Sequence, residues 1–242
     1  MAEAQLSHLQ PPYLQFVETM AQVLDARDPY TAGHSFRVAE YSYAIALGLG
    51  LTETDARTIH IAAQLHDIGK IGMSDVVLQK KGRLTREEFD FIKLHPQMGR
   101  KILERVAVFD KYLSVVELHH ENTDGSGYPY GIRGSKIPLE ARIVRVADAF
   151  DAMTSDRSYR PRFTAELAQK EIFDCSGKQF DHTVANVFLN LAAAGRIQVI
   201  GSFIPDLPVP AAQPGCESQY LLALHDALSS RELIAGNTNR HA

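Results

Sequence analysis

The sequence predicts an all-α helical bundle, and three observations carry that expectation. Apolar residues recur at spacings of three and four through most of the 242 residues. Helix-start signals precede several of those runs. Strand-like alternation is confined to residues 196–200, where it is loose. The organisation expected is a lead-in at 1–13, one helical domain over 14–203, and a tail at 204–242.

In chain order, Leu14, Val17, Met20 and Leu24 mark a first helix that Asp28-Pro29 breaks. His34, Val38, Tyr41 and Ile45 form one stripe of a second helix, which starts after Gly33 and ends at Gly48-Leu49-Gly50. Thr52 reads as the N-cap of a third, on which Ile59, Ala62, Ala63 and His66 share a face. Gly69 and Gly72 bracket a loop. Thr85 through Glu88 is a capping box that opens a fourth helix running to about His95. Pro96 begins the next, with Met98, Ile102 and Leu103. A segment at 112–120 leads into a Gly- and Asp-rich loop at 121–136, and Pro138 starts a helix with Val144, Asp148 and Asp151. Helical pattern returns at 164–175 and 181–193. Four prolines within 205–215 read as a linker, and Leu221, Leu222, Leu224 and Leu228 mark a short helix near 217–232.

Composition excludes whole classes. Hydrophobic residues at 45% and charged residues at 22% are ordinary for a globular chain, so collagen-like and disordered readings fail. No apolar run reaches the roughly 18 residues of a membrane span. The start lacks the blocks of a secretion signal, and two cysteines fit a reducing cytosol, so the expected location is cytoplasmic. A net charge of -4 argues against a binder of nucleic-acid polymers.

The distinctive number is 10 histidines. An isolated His66-Asp67 reads as a capping aspartate beside a buried ring. Here His66, His34 and Asp148 all lie on core-facing stripes. A carboxylate turned into a core is costly unless it is paired or bound to metal. The adjacent His119-His120 can serve two metals or two sides of one cluster, because successive helical residues point about 100° apart. His95 alone reads as a helix C-cap. His8, His60, His182, His225 and His241 have no such context, and His60 is expected to be exposed.

The segments His66-Asp67-Ile68-Gly69-Lys70-Ile71-Gly72 and His119-His120-Glu121-Asn122-Thr123-Asp124-Gly125-Ser126-Gly127-Tyr128-Pro129 closely resemble the HD-GYP family of metal-dependent phosphohydrolases. The likeness extends through Asp28 to Ser35, His95-Pro96 with Gly99, Asp148 to Thr154 with Arg157, Tyr159 and Arg160, and Ser176 to Asp181. It implies an HD-domain helical bundle with added HD-GYP helices. It also implies hydrolysis of cyclic di-GMP to pGpG, and on to GMP, by hydroxide held at a binuclear metal centre. The metal ligands carried over are His34, His66, Asp67, His95, His119, His120 and Asp148, with Asp67 as the bridge. Asp67 and Lys70 are the expected catalytic residues; Lys70, Tyr128, Asp151, Arg157 and Arg160 are expected to contact substrate. Some family members use a glutamate four residues before the first histidine for a third metal. Tyr30 stands there, a poor ligand at neutral pH, so two metals are expected. Imidazole and carboxylate donors suit iron, manganese, zinc or nickel more than magnesium, and the resemblance implies iron or manganese among them.

Lys70, Arg157 and Arg160 offer cations for phosphate, and arginine's planar fork can donate two bonds to it. The glycine-rich loop 122–134 can approach a ligand closely or move as a lid. By resemblance it is also a docking surface for GGDEF-type cyclases. The competing readings are a slow cyclic di-GMP sensor or scaffold, and an HD hydrolase acting on another nucleotide.

Overall fold

The computed structural model describes residues 12–27, 33–80, 82–155 and 162–200. Ten α-helices are found there. They are α1 Pro12–Arg27, α2 His34–Gly48, α3 Glu53–Leu65, α4 Asp75–Leu78, α5 Arg86–Ile92, α6 His95–Leu103, α7 Leu113–Leu118, α8 Leu139–Thr154, α9 Ala165–Asp174 and α10 His182–Ala193. No strand occurs among the described residues, only an isolated bridge between Ser176 and Phe180. The helical expectation holds, and none of these helices is long and apolar enough to cross a membrane.

The start signals act as read. Thr52 Oγ1 accepts from Asp55 N at 3.1 Å. Thr85 and Glu88 form the reciprocal capping box. Asp181, not singled out from the sequence as a cap, caps α10 through the amides of Thr183 and Val184. Four local readings need correction. The 196–200 stretch is not a strand, and Ile200 N instead donates to the Tyr41 hydroxyl at 3.0 Å. The segment between Gly69 and Gly72 is a 3-10 turn, Ile68–Gly72. The fourth helix read from the sequence, α5, stops at Ile92, so His95 opens α6 instead of closing α5. His60 is half-buried and bonds Glu40 at 2.9 Å. The linker at 205–215 and the helix near 217–232 lie outside the described residues.

Helix α8 is the axis of the bundle. Residues 143–154 are all buried, as expected of a helix surrounded by others. It packs on α2, α7, α9 and α10, while α2 and α3 pack on each other. Phe150 meets Tyr41 edge-on at 5.2 Å and Phe188 at 4.9 Å. Along the same axis Asp148 and Asp151 are buried among these apolar groups.

One close approach fixes the site's layout. A Cβ on Gly69 would fall 1.9 Å from the carbonyl oxygen of His95 and 2.5 Å from Gly99 N. Only glycine lets the turn after Asp67 press its backbone onto α6 and bring His95 to the His66-Asp67 pair.

Candidate metal centre

His34, His66, Asp67, His95, His119, His120 and Asp148 are all buried. Three of the rings sit at helix junctions and bond back to helix-end carbonyls there. His66, just past α3, places Nδ1 2.6 Å from Ala63 O. His95 reaches Ile92 O at 2.8 Å, and His119, just past α7, reaches Val116 O at 3.0 Å. A carbonyl can only accept, so each Nδ1 carries the proton and each Nε2 presents a lone pair in the neutral ring. His34 follows the same rule through a carboxylate: Nδ1 donates to Asp151 Oδ2 at 2.8 Å.

Those lone pairs face one another. His34 Nε2 and His66 Nε2 are 3.3 Å apart, and His95 Nε2 and His119 Nε2 are 3.2 Å apart. Asp67 lies between the two pairs. Its Oδ2 is 3.4 Å from His66 Nε2 and 3.8 Å from His34 Nε2. Its Oδ1 is 3.1 Å from His95 Nε2 and 3.9 Å from His119 Nε2. That Oδ1 is buried without a hydrogen-bond partner. Two donor sets result, His34–His66–Asp67 and Asp67–His95–His119–His120; in each, the ligand atoms lie within 4.8 Å of one another. Asp148 Oδ1 approaches the first set, 3.5 Å from His34 Nε2. Opposed lone pairs and an orphaned carboxylate oxygen call for cations between them, and imidazole with carboxylate suits divalent transition metals. Thus all seven ligands expected from the sequence converge here.

The electrostatics of the two sets differ. Burial disfavours a charged His66, but the Asp67 carboxylate and, further off, Asp148 outweigh it and lift the ring to about 9. Burial also opposes charge on Asp67, yet Lys70 and His66 hold its carboxyl well below the usual range. His119 and His120 go the other way. Burial and the neighbouring rings push both far below the ordinary histidine value, so they stay neutral donors.

The substrate-contact expectations fare unevenly. Lys70 Nζ lies 2.6 Å from Asp67 Oδ2. Tyr128 stacks on His120, with ring centroids 4.7 Å apart. Asp151 differs from expectation. It is 1% exposed, and its oxygens accept from His34, from Arg37 at 2.6 and 3.0 Å and from Ser155 at 3.1 Å. A carboxylate so enclosed faces His34 instead of open solvent. Arg157 and Arg160, like Tyr30, lie outside the described residues.

Two residues near the site escaped the sequence reading. Glu121 accepts from the amides of Tyr130, Gly131 and Ile132 at 2.7–3.1 Å, anchoring the glycine-rich loop beside His120. Arg145 donates two 3.2 Å bonds to Asn122 Oδ1. The only sequence signal was position, since Glu121 follows the histidine pair and Arg145 precedes Asp148 by three.

The family model for the HD domain matches residues 18–184 of this chain. The chain belongs to the HD domain family. This HD domain is 36% identical over 216 residues to the cyclic di-GMP phosphodiesterase response regulator RpfG of Xanthomonas campestris, covering 88% of this chain and 55% of that protein. It is 41% identical to the cyclic di-GMP phosphodiesterase of Thermotoga maritima, over 73% of this chain and 49% of that one. It is also 41% identical to the 3'3'-cGAMP-specific phosphodiesterase 3 of Vibrio cholerae, over 66% and 35%. The chain thus spans about half the length of these relatives, or less. An HDG"Y"P protein from Bdellovibrio bacteriovorus shares the fold, with a TM-score of 0.57 at 22% identity over 75% of this chain and 60% of that one. The resemblance to HD-GYP proteins read from the motifs is borne out by these relatives.

Proposed function

We propose that this HD domain is a metal-dependent phosphodiesterase that opens cyclic di-GMP to linear pGpG, with GMP as the product of a second cut. One observation carries the reading: Asp67 turns one oxygen to each of two buried donor sets. The names of the Xanthomonas and Thermotoga relatives support the substrate. The donor set suits two iron or manganese ions, with zinc or nickel as alternatives. When bound, such a pair supplies Lewis acidity to the phosphoryl oxygens and to the attacking water.

The chain's own residues do the rest. The Nδ1 bonds of His34, His66, His95 and His119 fix ring orientation, so the Nε2 atoms converge without further ordering. Asp151 positions His34, and Arg37 balances its charge. Lys70 brings an ammonium to the edge of the centre, where it neutralises a phosphate oxygen as charge builds. Tyr128, stacked on His120, offers its ring to guanine or its hydroxyl to phosphate. Arg157 and Arg160 are assigned to the phosphates on their place in the motif. In-line attack on phosphorus breaks the bond to the ribose 3′-oxygen. Tyr130, 54% exposed on the loop that Glu121 anchors, supports that loop as the docking face for a GGDEF-type cyclase.

The test is chromatography of cyclic di-GMP incubated with anaerobically metal-loaded protein. The expected product is pGpG. A metal-replete chain that leaves the ring intact at high enzyme concentration overturns the reading. The Vibrio relative, as similar as the Thermotoga one, makes 3'3'-cGAMP the second substrate to include; faster cleavage of it would reassign the specificity.

A further inference from the structure

Arg27 is the last residue of α1, and its guanidinium reaches the turn that follows Asp67. Nη1 donates to the carbonyl oxygens of Lys70 at 2.9 Å and Ile71 at 2.7 Å. Nη2 donates to Met73 O at 2.5 Å, and Nε to Asp75 Oδ1 at 2.8 Å. The tie is returned by Gln79, whose Nε2 donates to Arg27 O at 3.2 Å. The ion pair with Asp75 is a small part of this, since Asp75 is 61% exposed and water screens it. The carbonyl bonds matter more. They gather the C-terminal end of Ile68–Gly72, where the Lys70 carbonyl also accepts from Met73 N at 3.0 Å and helix-end carbonyls favour a cation.

Lys70 belongs to that turn. Its carbonyl is held by Arg27 and its Nζ rests on Asp67 Oδ2. Helix α1 is itself seated by buried Val17, Ala21 and Leu24, and by Asp25 Oδ1, which accepts from Ser35 Oγ at 2.9 Å. A shift of α1 would therefore pull on the backbone of Lys70.

We infer that Arg27 is a positioning residue: it fixes the Lys70 backbone, so the seating of α1 sets where the Lys70 ammonium meets the substrate phosphate. The inference rests on the phosphodiesterase reading above. Misplacing a charged group by about 1 Å can cost up to roughly 100-fold in rate. Arg27→Met is expected to keep wild-type metal content, speed amide hydrogen exchange at residues 70–73, and lower kcat on cyclic di-GMP by about tenfold or more. Arg27→Lys, which restores one donor, recovers part of that loss. In a Lys70→Ala background, Arg27→Met should change kcat by less than about twofold, because the two act as one unit.

A purely structural Arg27 would instead lower metal content and leave kcat per metal-loaded chain unchanged, and that result overturns the inference. So does unchanged exchange at 70–73, or full additivity with Lys70→Ala. A wild-type chain inactive on cyclic di-GMP defeats the activity reading and the catalytic half of this one. The exchange arm then still decides whether Arg27 holds the turn.

Discussion

The two halves of the centre share Asp67 and little else. The His34–His66 half is rich in carboxylates: Asp67, Asp148 and Asp151 surround its two rings. Among the described residues, the His95–His119–His120 set holds only one carboxylate, Asp67. Accordingly His66 is lifted to about 9 while His119 and His120 are driven down. Without metal, His66 keeps a proton, while His119 and His120 keep their lone pairs free. One centre thus uses two ways of preparing imidazole for a cation.

Severing the shared carboxylate breaks both halves and carries the largest expected effect. Asp67→Asn should lower turnover by at least about 10³-fold, since the one carboxylate common to both donor sets loses its charge. Elemental analysis should fall from about two metals per chain to one or fewer. Removing a ring from either half comes next. His34→Ala and His95→Ala should each cost one metal, leaving the other half loaded; loss of both metals from either variant would show that the halves are not separable.

A smaller effect separates them through Asp151, which serves the first half alone. Asp151→Asn should weaken metal binding there by about 10- to 100-fold and leave the second half unchanged. The same substitution tests acid stability. Burial opposes the charge on Asp151, but His34 and Arg37 bring its carboxyl from 3.8 to about 2. That shift contributes on the order of 2 kcal/mol, present above pH 3.8 and lost as pH falls through about 2. The wild-type chain should lose stability across that window in acid unfolding, while Asp151→Asn follows a flatter curve.

Proton release sharpens the contrast further. With His66 raised from 6.5 to about 9, metal entering the first half must displace a proton at pH 7–8, and affinity there should rise with pH. The second half should bind without that proton. Calorimetry in buffers of different ionisation enthalpy reads the number directly, and equal release from both halves would contradict the asymmetry. The metal-free chain gives the mirror image: stability from His66 protonation is complete below pH 6.5 and gone above about 9. The smallest effect is remote. Thr85→Ala removes the α5 cap and should cost about 1 kcal/mol in denaturant unfolding with metal content intact.

Local order was legible in the sequence because its causes are local. Thr52 and Thr85 cap the helices they precede. The stripe His34, Val38, Tyr41 and Ile45 is buried as its spacing requires. The residue types and their motifs were legible too, and the seven residues expected as ligands lie together. What failed was short or set by another helix. The Ile68–Gly72 turn is too brief to show a period, and His60 is half-buried where it bonds Glu40 on another helix.

Tertiary structure alone decided which lone pairs oppose each other and who holds the rings. Asp151 looked like a ligand contact in its motif, yet it is bonded to His34 and Arg37, 117 and 114 positions away. Arg27 meets the Lys70 turn across 43 residues, and nothing in α1's periodicity marks it. Capping and amphipathic spacing act within a turn or two of helix, so the chain announces them. Pairings across a bundle depend on how helices cross, and that is settled only when the shared core closes.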